Sequence, residues 1–340
     1  MGNANKENVF NYILKLIQAQ DKDLVIKVKE SFNISKSTVY NYLTELSEKN
    51  IIQKNPQTSA YELVSKKYEF KYKNDGQLFE DVIFDNDIAP LFANLERNVF
   101  SAWRYAFTEM MNNAIEHSSA EGIGVILLKT ELDTSILLFD NGIGIFKNIQ
   151  EYMKKEHNRE MSLNDCAGLL FAGKFTTARS MHSGEGIFFT SHLMDAFVII
   201  SDGVVFSRNN FEDFQFKVDL ESSGTLVCMS LYNQSKKTTR EIFDRFSNID
   251  EGFIKTQIPI AHFFLNGNPV SRSEARRLGE LICKFKEIDL DFEGVCEVGQ
   301  AFVHELFIVW QKRNPDALLN VINANDDVNF MIRRVLNTKQ

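Results

Sequence analysis

Apolar residues recur three and four apart from the start of the chain. Val9, Phe10, Ile13, Leu16 and Ile17 would share one face of a first helix. A second short helix is predicted over Leu24 to Phe32. Asn33 and Ser35 then supply turn and N-cap chemistry, and a third helix follows with Val39, Tyr42, Leu43 and Leu46 inward. Ile51 and Ile52 begin a strand, Asn55-Pro56 turns it, and Tyr61 to Val64 returns. Residues 65–78 alternate charged and aromatic side chains, which fits either a linker or a first strand, with a domain boundary near Gly76. Helical periodicity resumes over Phe100 to His117, with Trp103, Phe107, Met110, Met111 and Ala114 as its apolar positions. A strand is predicted over Ser135 to Phe139, a helix over Ile187 to Phe197 and a strand over Leu226 to Leu231. In the last ninety residues, Ser271 and Glu274 form a capping box that opens a helix from Arg272 to Phe285. A strand over Ile288 to Phe292 and a helix over Ala301 to Trp310 follow. Strands interleaved with helices predict a multidomain α/β protein. The length of 340 residues allows two or three domains at roughly 100–200 residues each.

Charge changes this picture at one place. The net charge is −8, but residues 1–73 carry 12 Lys, no Arg and 8 acids, or +4, leaving −12 for the remainder. A basic first segment on an acidic body predicts a local polyanion-binding module rather than a chain-wide nucleic-acid coat. Cys166, Cys228, Cys283 and Cys296 show no C-x-x-C spacing, so free thiols in a reducing cytoplasm are expected. No signal peptide is expected from the first residues, and no apolar run approaches the ~20 residues of a membrane span, so no membrane partner is expected.

Four short motifs carry candidate chemistry. Glu109 and Asn113 are four apart on the predicted helix, hence on one face, with His117 a turn further. A carboxylate beside an amide oxygen suits a hydrated Mg2+, which keeps several waters and phosphate oxygens. Asp140-Asn141-Gly142-Ile143-Gly144 follows a strand, where a carboxylate can accept from an adenine amine; alone, its Asn-Gly reads equally as a hairpin turn. Gly184-Glu185-Gly186 leads into a helix, whose backbone amides favour phosphate. It is neither a P-loop nor a G-x-G-x-x-G fingerprint. Gly224-Thr225 precedes a strand and places a hydroxyl that could support Asp140 through a water. Each motif alone is weak.

In this order and spacing, the four resemble the GHKL ATPase superfamily, over about residues 85–235. That superfamily includes gyrase-type ATPases, histidine kinases and bacterial anti-sigma serine kinases. The resemblance implies an α/β sandwich that holds ATP and Mg2+ between helices and a mixed sheet. It implies Asn113 as the Mg2+ ligand and Glu109 as the base acting on water or hydroxyl. Asp140 would be the adenine partner with Gly142 and Gly144 beside it, Gly184 and Gly186 the phosphate loop, and Thr225 the supporting hydroxyl. Phe146 to Ser183 would be a mobile ATP lid, in which Lys174, Thr176, Thr177 and Arg179 touch phosphate.

The first segment resembles a winged helix-turn-helix domain, with Ile34 to Leu43 as its recognition helix. Lys36, Ser37, Thr38, Tyr40 and Asn41 would face DNA, and Lys54 the backbone. The alternative is a protein-contact module, since recognition helices usually carry Arg and this one has none. The tail resembles a STAS-like domain found behind GHKL ATPases in a bacterial regulator group. The resemblance rests on Ser271-Arg272, Ala275-Arg276, Leu290-Asp291-Phe292-x-Gly294-Val295 and Ala301-Phe302 with Glu305-Leu306-Phe307. The junction Gly299-Gln300-Ala301 has no hydroxyl where STAS switches carry a serine. His304-Glu305 resembles a phosphoacceptor dipeptide without the rest of that motif, so a helix-surface role is expected for His304.

The expected organisation is a winged helix over 1–70, a GHKL domain over 79–250 and a STAS-like domain over 251–340. The implied function is an ATP-responsive, DNA-binding transcription regulator with slow ATPase activity. DNA would bind through residues 1–65, a protein partner through the STAS-like domain, and a homodimer would follow the habit of GHKL domains. Two other classes stand beside this: a protein serine kinase or ATPase acting on a protein partner, and a DNA-associated defence or mobile-element ATPase.

Overall fold

The structure, a computed structural model, describes residues 6–174, 184–208, 224–248, 250–264 and 267–337. It is a mixed α/β protein of several units. Helices α1 (Lys6–Gln18), α2 (Leu24–Phe32) and α3 (Lys36–Glu48) share one cluster containing Val9, Ile13, Val28, Val39 and Leu43. α2 ends on Asn33 at φ 50°, a left-handed conformation that Asn tolerates through its short polar side chain. Ser35 caps α3, its hydroxyl accepting from the Thr38 N–H at 3.0 Å. Strands β1 (Ile52–Lys54) and β2 (Tyr61–Leu63) pair antiparallel, and Asn55 Oδ1 holds the turn by accepting from the N–H groups of Gln57 and Thr58.

The next strand corrects the expected boundary. β3 (Lys66–Lys73) pairs antiparallel along its whole length with β4 (Gly122–Lys129). Its aromatic residues Tyr68, Phe70 and Tyr72 pack against the central core while the intervening charges stay exposed, which is the period of a half-buried edge strand. By sheet membership the junction lies before Lys66, not near Gly76.

A short helix α4 (Glu80–Ile83), a π-helical stretch (Phe84–Ile88) and a 3-10 turn (Ala89–Phe92) lead into α5 (Arg97–His117). After β4 come β5 (Asp133–Asp140), α6 (Ile145–His157), α7 (Leu163–Ala172), α8 (Gly186–Leu193), β6 (Ala196–Ser201), β7 (Val204–Ser207) and β8 (Thr225–Tyr232). The described strands form one sheet in the order β3-β4-β5-β8-β6-β7. Each pairing is antiparallel, where the resemblance implied a mixed sheet. One face, including Val125, Leu127, Ile136, Leu138, Phe197 and Ile199, packs on helices that bury Trp103, Phe107, Met110 and Phe146. Burying each such side chain stabilises by about 1.5–3 kcal/mol.

The helix predicted through Phe197 stops at Leu193. Asp195 is captured by β8: its N–H donates to Ser230 O at 2.9 Å and its carboxylate accepts from Tyr232 N–H at 2.9 Å. Ala196 and Phe197 therefore pair with Ser230 and Met229 instead of continuing the helix. The segment expected to be a lid is folded over most of its length, because Phe146, Ile149 and Met153 of α6 and Cys166, Leu169 and Leu170 of α7 join the core. Thr176, Thr177 and Arg179 lie outside the described residues.

The N-terminal helices dock on the sheet through α1. Gln18 Nε2 donates to buried Asp133 at 2.9 Å, Asn11 bonds Gln234, Lys15 Nζ lies 5.1 Å from the Tyr232 ring centre, and Leu132 enters the N-terminal cluster.

The C-terminal unit follows α9 (Thr239–Phe246) and a small hairpin, β9 (Ser247–Asn248) with β10 (Gly252–Phe253). Three strands, β11 (Lys255–Pro259), β12 (Glu287–Asp291) and β13 (Leu318–Ile322), are parallel in that order. Parallel neighbours require crossovers. These are α10 (Ile260–Phe263) with α11 (Arg272–Ile282), then α12 (Gln300–His304), a π-helical stretch (Glu305–Trp310) and α13 (Gln311–Arg313); α14 (Asp326–Asn337) closes the unit. The Ser271–Glu274 capping box is formed. The core of this unit crosses the expected boundary at 250, since Ala172, Phe188, Phe189 and Phe246 belong to it. No described helix is long and apolar enough to cross a membrane.

Candidate functional site

The strongest candidate site is a cavity of about 310 Å³ enclosed by α5, the ends of β5 and β8, and the starts of α6 and α8. That volume is in the range of small-molecule sites. Its apolar walls include Met110, Leu138, Ile149, Leu170, Ile199 and Val227. Six of the sequence-derived residues line it together: Glu109, Asn113, Asp140, Gly184, Gly186 and Thr225.

Asp140 ends β5 and is buried. Its Oδ1 accepts from the Gly142 N–H at 2.8 Å. Thr225, which lines the cavity beside it, accepts at Oγ1 from the Ile145 N–H at 3.0 Å at the start of α6. A carboxylate offers about four lone-pair sites, so Asp140 can accept further bonds beyond the one from Gly142. Burial pushes the Asp140 carboxyl above the ordinary range, with Gly142 and Thr225 opposing.

The Asp140–Gly144 segment is not a hairpin turn, because it leads from β5 into α6. A Cβ on Gly142 would overlap the Ser118 carbonyl, which accepts from the Ile143 N–H at 2.9 Å. Gly144, at φ 85°, N-caps α6 where a Cβ would meet Asp202. Both glycines therefore serve close approach within the chain, and neither lines the cavity.

On α5, Glu109 and Asn113 face the cavity, with Asn112, His117 and Ser118 beside them. A Cβ on Gly186 would strike the Glu109 carboxylate, so the bare backbone of the Gly184–Gly186 loop lies against that acid. Glu185 also lines the cavity, and with Glu109 and burial it raises the pKa of Tyr105, burial being the largest cause. Lys174 does not join. Its Nζ lies 5.4 Å and 5.0 Å from the ring centres of Phe253 and Phe285, and burial lowers its pKa.

Sequence reasoning missed Asn112, Asn148 and Glu185. The Asn148 Nδ2 donates to the His117 carbonyl at 2.7 Å, joining α6 to the end of α5. Only Glu185 carried a signal, its place between the two loop glycines. Glu109, Asp140 and Glu185 bring three acids to the lining, and Glu185 acts electrostatically on Lys174. No described group of three or more His, Cys, Asp or Glu could hold a metal ion by itself.

On α3, Lys36, Ser37, Tyr40 and Asn41 are exposed, and Lys36 Nζ lies 5.9 Å from the Tyr40 ring centre. Thr38 is half-buried and its hydroxyl bonds the Ser35 hydroxyl at 2.8 Å, so it is tied to the helix cap. Lys54 stands over Tyr61 on the hairpin.

In the C-terminal unit, the Arg276 Nε donates to buried Glu305 at 2.7 Å, linking α11 to the π-helical stretch. His304 is exposed at the end of α12. A family model described as a STAS-like domain of unknown function (DUF4325) matches residues 274–329. The C-terminal unit is STAS-like. In this STAS-like unit the matched residues run from α11 to α14, so the Arg276–Glu305 pair and strands β12 and β13 fall within the match. No curated protein matches the chain.

Proposed function

We propose that the central unit is a GHKL-type ATP-binding domain in an ATP-responsive, DNA-binding regulator with slow ATPase activity. The observation that carries this reading is Asp140: a buried carboxylate with acceptor capacity to spare, lining a cavity beside the apolar Leu138, Ile149, Leu170, Ile199 and Val227. An adenine amine donates to such an acceptor, whereas guanine would set its O6 lone pairs against it. ATP should therefore bind and GTP should not.

The far side of the cavity fits the phosphates and their metal. Loop 184–186 offers backbone donors at the start of α8. Three acids line the cavity and a triphosphate brings further negative charge, which a divalent cation would offset. Asn113 would hold Mg2+ together with phosphate oxygens and waters, in keeping with that ion's preference for few protein ligands. Mg2+ would supply charge neutralisation, and Glu109 would take the proton from the attacking water or hydroxyl. ATP titration with and without Mg2+, followed by phosphate release, tests the proposal. Binding that is indifferent to both base and metal would refute it.

The raised pKa of Asp140 sets the sign of a pH effect. The ionised carboxylate is the adenine acceptor, so binding favours proton loss. Affinity is expected to be full above the raised pKa and to fall by about tenfold per pH unit below it. Stability has the opposite sign, because the folded state holds this proton more tightly than the unfolded chain. Raising the pH from the ordinary carboxylate value through the raised one weakens the fold. Adenosine titrations, free of phosphate ionisation, would check the binding arm, and a pH-independent affinity would count against the assignment.

The N-terminal unit would be a winged helix that uses Lys36, Ser37, Tyr40 and Asn41 on DNA, with Thr38 held back by its cap bond. Docking through α1 leaves that α3 face open. Lys36→Ala should weaken DNA retention uniformly across sequences and reduce the salt slope by about one. Retention unchanged in salt-dependent filter binding would assign α3 to protein contact instead.

A kinase acting on a protein remains the second reading, because a STAS-like unit is present. Gln300 offers no hydroxyl at the start of α12, so the acceptor would lie elsewhere. Labelled phosphate appearing on protein rather than in water would select this reading.

A further inference from the structure

Two adjacent residues of β11 reach α7 and α8, one directly and one through Arg208, and both helices contribute to the cavity lining. Thr256 is fully buried, and its hydroxyl donates to the carbonyl of Ala172, the last residue of α7, at 2.8 Å. The next residue, Gly173, lines the cavity. The Gln257 carbonyl accepts from Arg208 Nη1 at 3.0 Å, and Arg208 Nε donates to Ser191 Oγ on α8 at 3.0 Å. The same guanidinium lies 5.1 Å from the ring centre of Phe188, another cavity residue. Phe188 in turn packs on Phe253, 4.6 Å between centres, and Phe253 also receives the Lys174 ammonium.

The polar chain continues into the STAS-like unit. Gln257 Nε2 donates to Asp291 Oδ2 at 2.8 Å, and its Oε1 accepts from Arg245 Nη2 at 3.1 Å. Asp291 Oδ1 accepts from Asn323 Nδ2 at 2.9 Å, just beyond β13. Arg208 is held so deeply that burial pulls its pKa down to about 9, despite Asp291 nearby. Apolar packing of the same volume would commonly be as stable or more so, so a guanidinium there contributes direction rather than net energy.

We propose that Arg208 and Thr256 are positioning residues through which the STAS-like unit sets the geometry of the cavity, and with it nucleotide affinity. The choice of ligand rests on the function proposed above; the mechanical link does not. If β11 holds α7 and α8 in the binding geometry, nucleotide must by reciprocity tighten β11.

Thr256→Val in the full chain removes the donor and keeps the volume. Arg208→Lys keeps a cation but loses the two-way fork, and Arg208→Met removes the charge. Without any ligand, Thr256→Val should speed amide exchange at residues 168–173 and Arg208→Met at residues 186–191, each by more than the drop in global stability accounts for. With ATP, the affinity of Thr256→Val and Arg208→Met should drop about tenfold, and the protection that ATP confers on residues 255–259 should shrink. Arg208→Lys should fall between wild type and Arg208→Met. If the buried arginine variants fail to fold, Thr256→Val decides alone. Ligand-free exchange equal to wild type at the wall that each folded variant releases overturns the proposal. A wild-type chain that ignores ATP overturns the proposed function instead, while the ligand-free exchange still decides the link.

Discussion

Asp140→Asn should abolish measurable ATP binding, with an affinity loss of at least about 100-fold. The carboxylate accepts from the Gly142 N–H and lines the cavity with lone pairs to spare for a ligand. An amide has one oxygen and one NH2 group. If the oxygen stays on the internal donors, the NH2 faces the adenine amine, donor against donor. If it turns toward the ligand, the NH2 faces the Gly142 N–H. Hydrogen bonds to charged groups contribute roughly 1.5–3 kcal/mol, and a buried mismatch costs a further 1–3 kcal/mol, which together reach the stated loss. Stability should change little, because removing a buried charge offsets the lost donors. Calorimetric titration alongside a melting curve checks both halves. A folded Asp140→Asn that binds ATP within threefold of wild type would refute the adenine assignment.

Glu109→Ala should separate binding from turnover. The carboxylate lies against Gly186 at the start of α8 and lines the cavity. Removing it relieves repulsion with phosphate, so affinity should hold or rise slightly. Proton transfer by a placed side chain is worth about 10²–10⁴-fold in rate, so phosphate release should fall by that factor. Glu109→Gln, which keeps the shape, should be as inactive and guards against collapse of the loop. Single-turnover phosphate release beside ATP titration reads both effects, and persistent turnover in either variant would remove Glu109 from the base role.

Local rules were sufficient wherever a feature is made by near neighbours. The caps at Ser35 and Ser271 are sequence-local, since donor and acceptor lie three residues apart. The buried face of α5 follows from its period, and Trp103, Phe107, Met110, Met111 and Ala114 are all inside. Distant partners were invisible. The turn from Leu193 into β6 depends on Ser230 and Tyr232 capturing Asp195, so a window over 187–197 reads only its apolar content. Lys174 was expected at phosphate because it falls in the segment that the resemblance makes an ATP lid. Its actual setting, over Phe253 and Phe285, comes from residues about eighty and a hundred and ten positions away.

The order of residues by itself determined the helices, their caps and the set Glu109, Asn113, Asp140 and Thr225, because each of these needs only a residue type at a short spacing. Tertiary structure alone decided that those four meet around one cavity, and that Gly142 and Gly144 lie against the Ser118 carbonyl and Asp202, outside its lining. It also decided that β11 of the STAS-like unit holds the cavity walls. The physical reason is that such contacts depend on how separate faces pack against each other, and a sequence pattern specifies each face but not its partner.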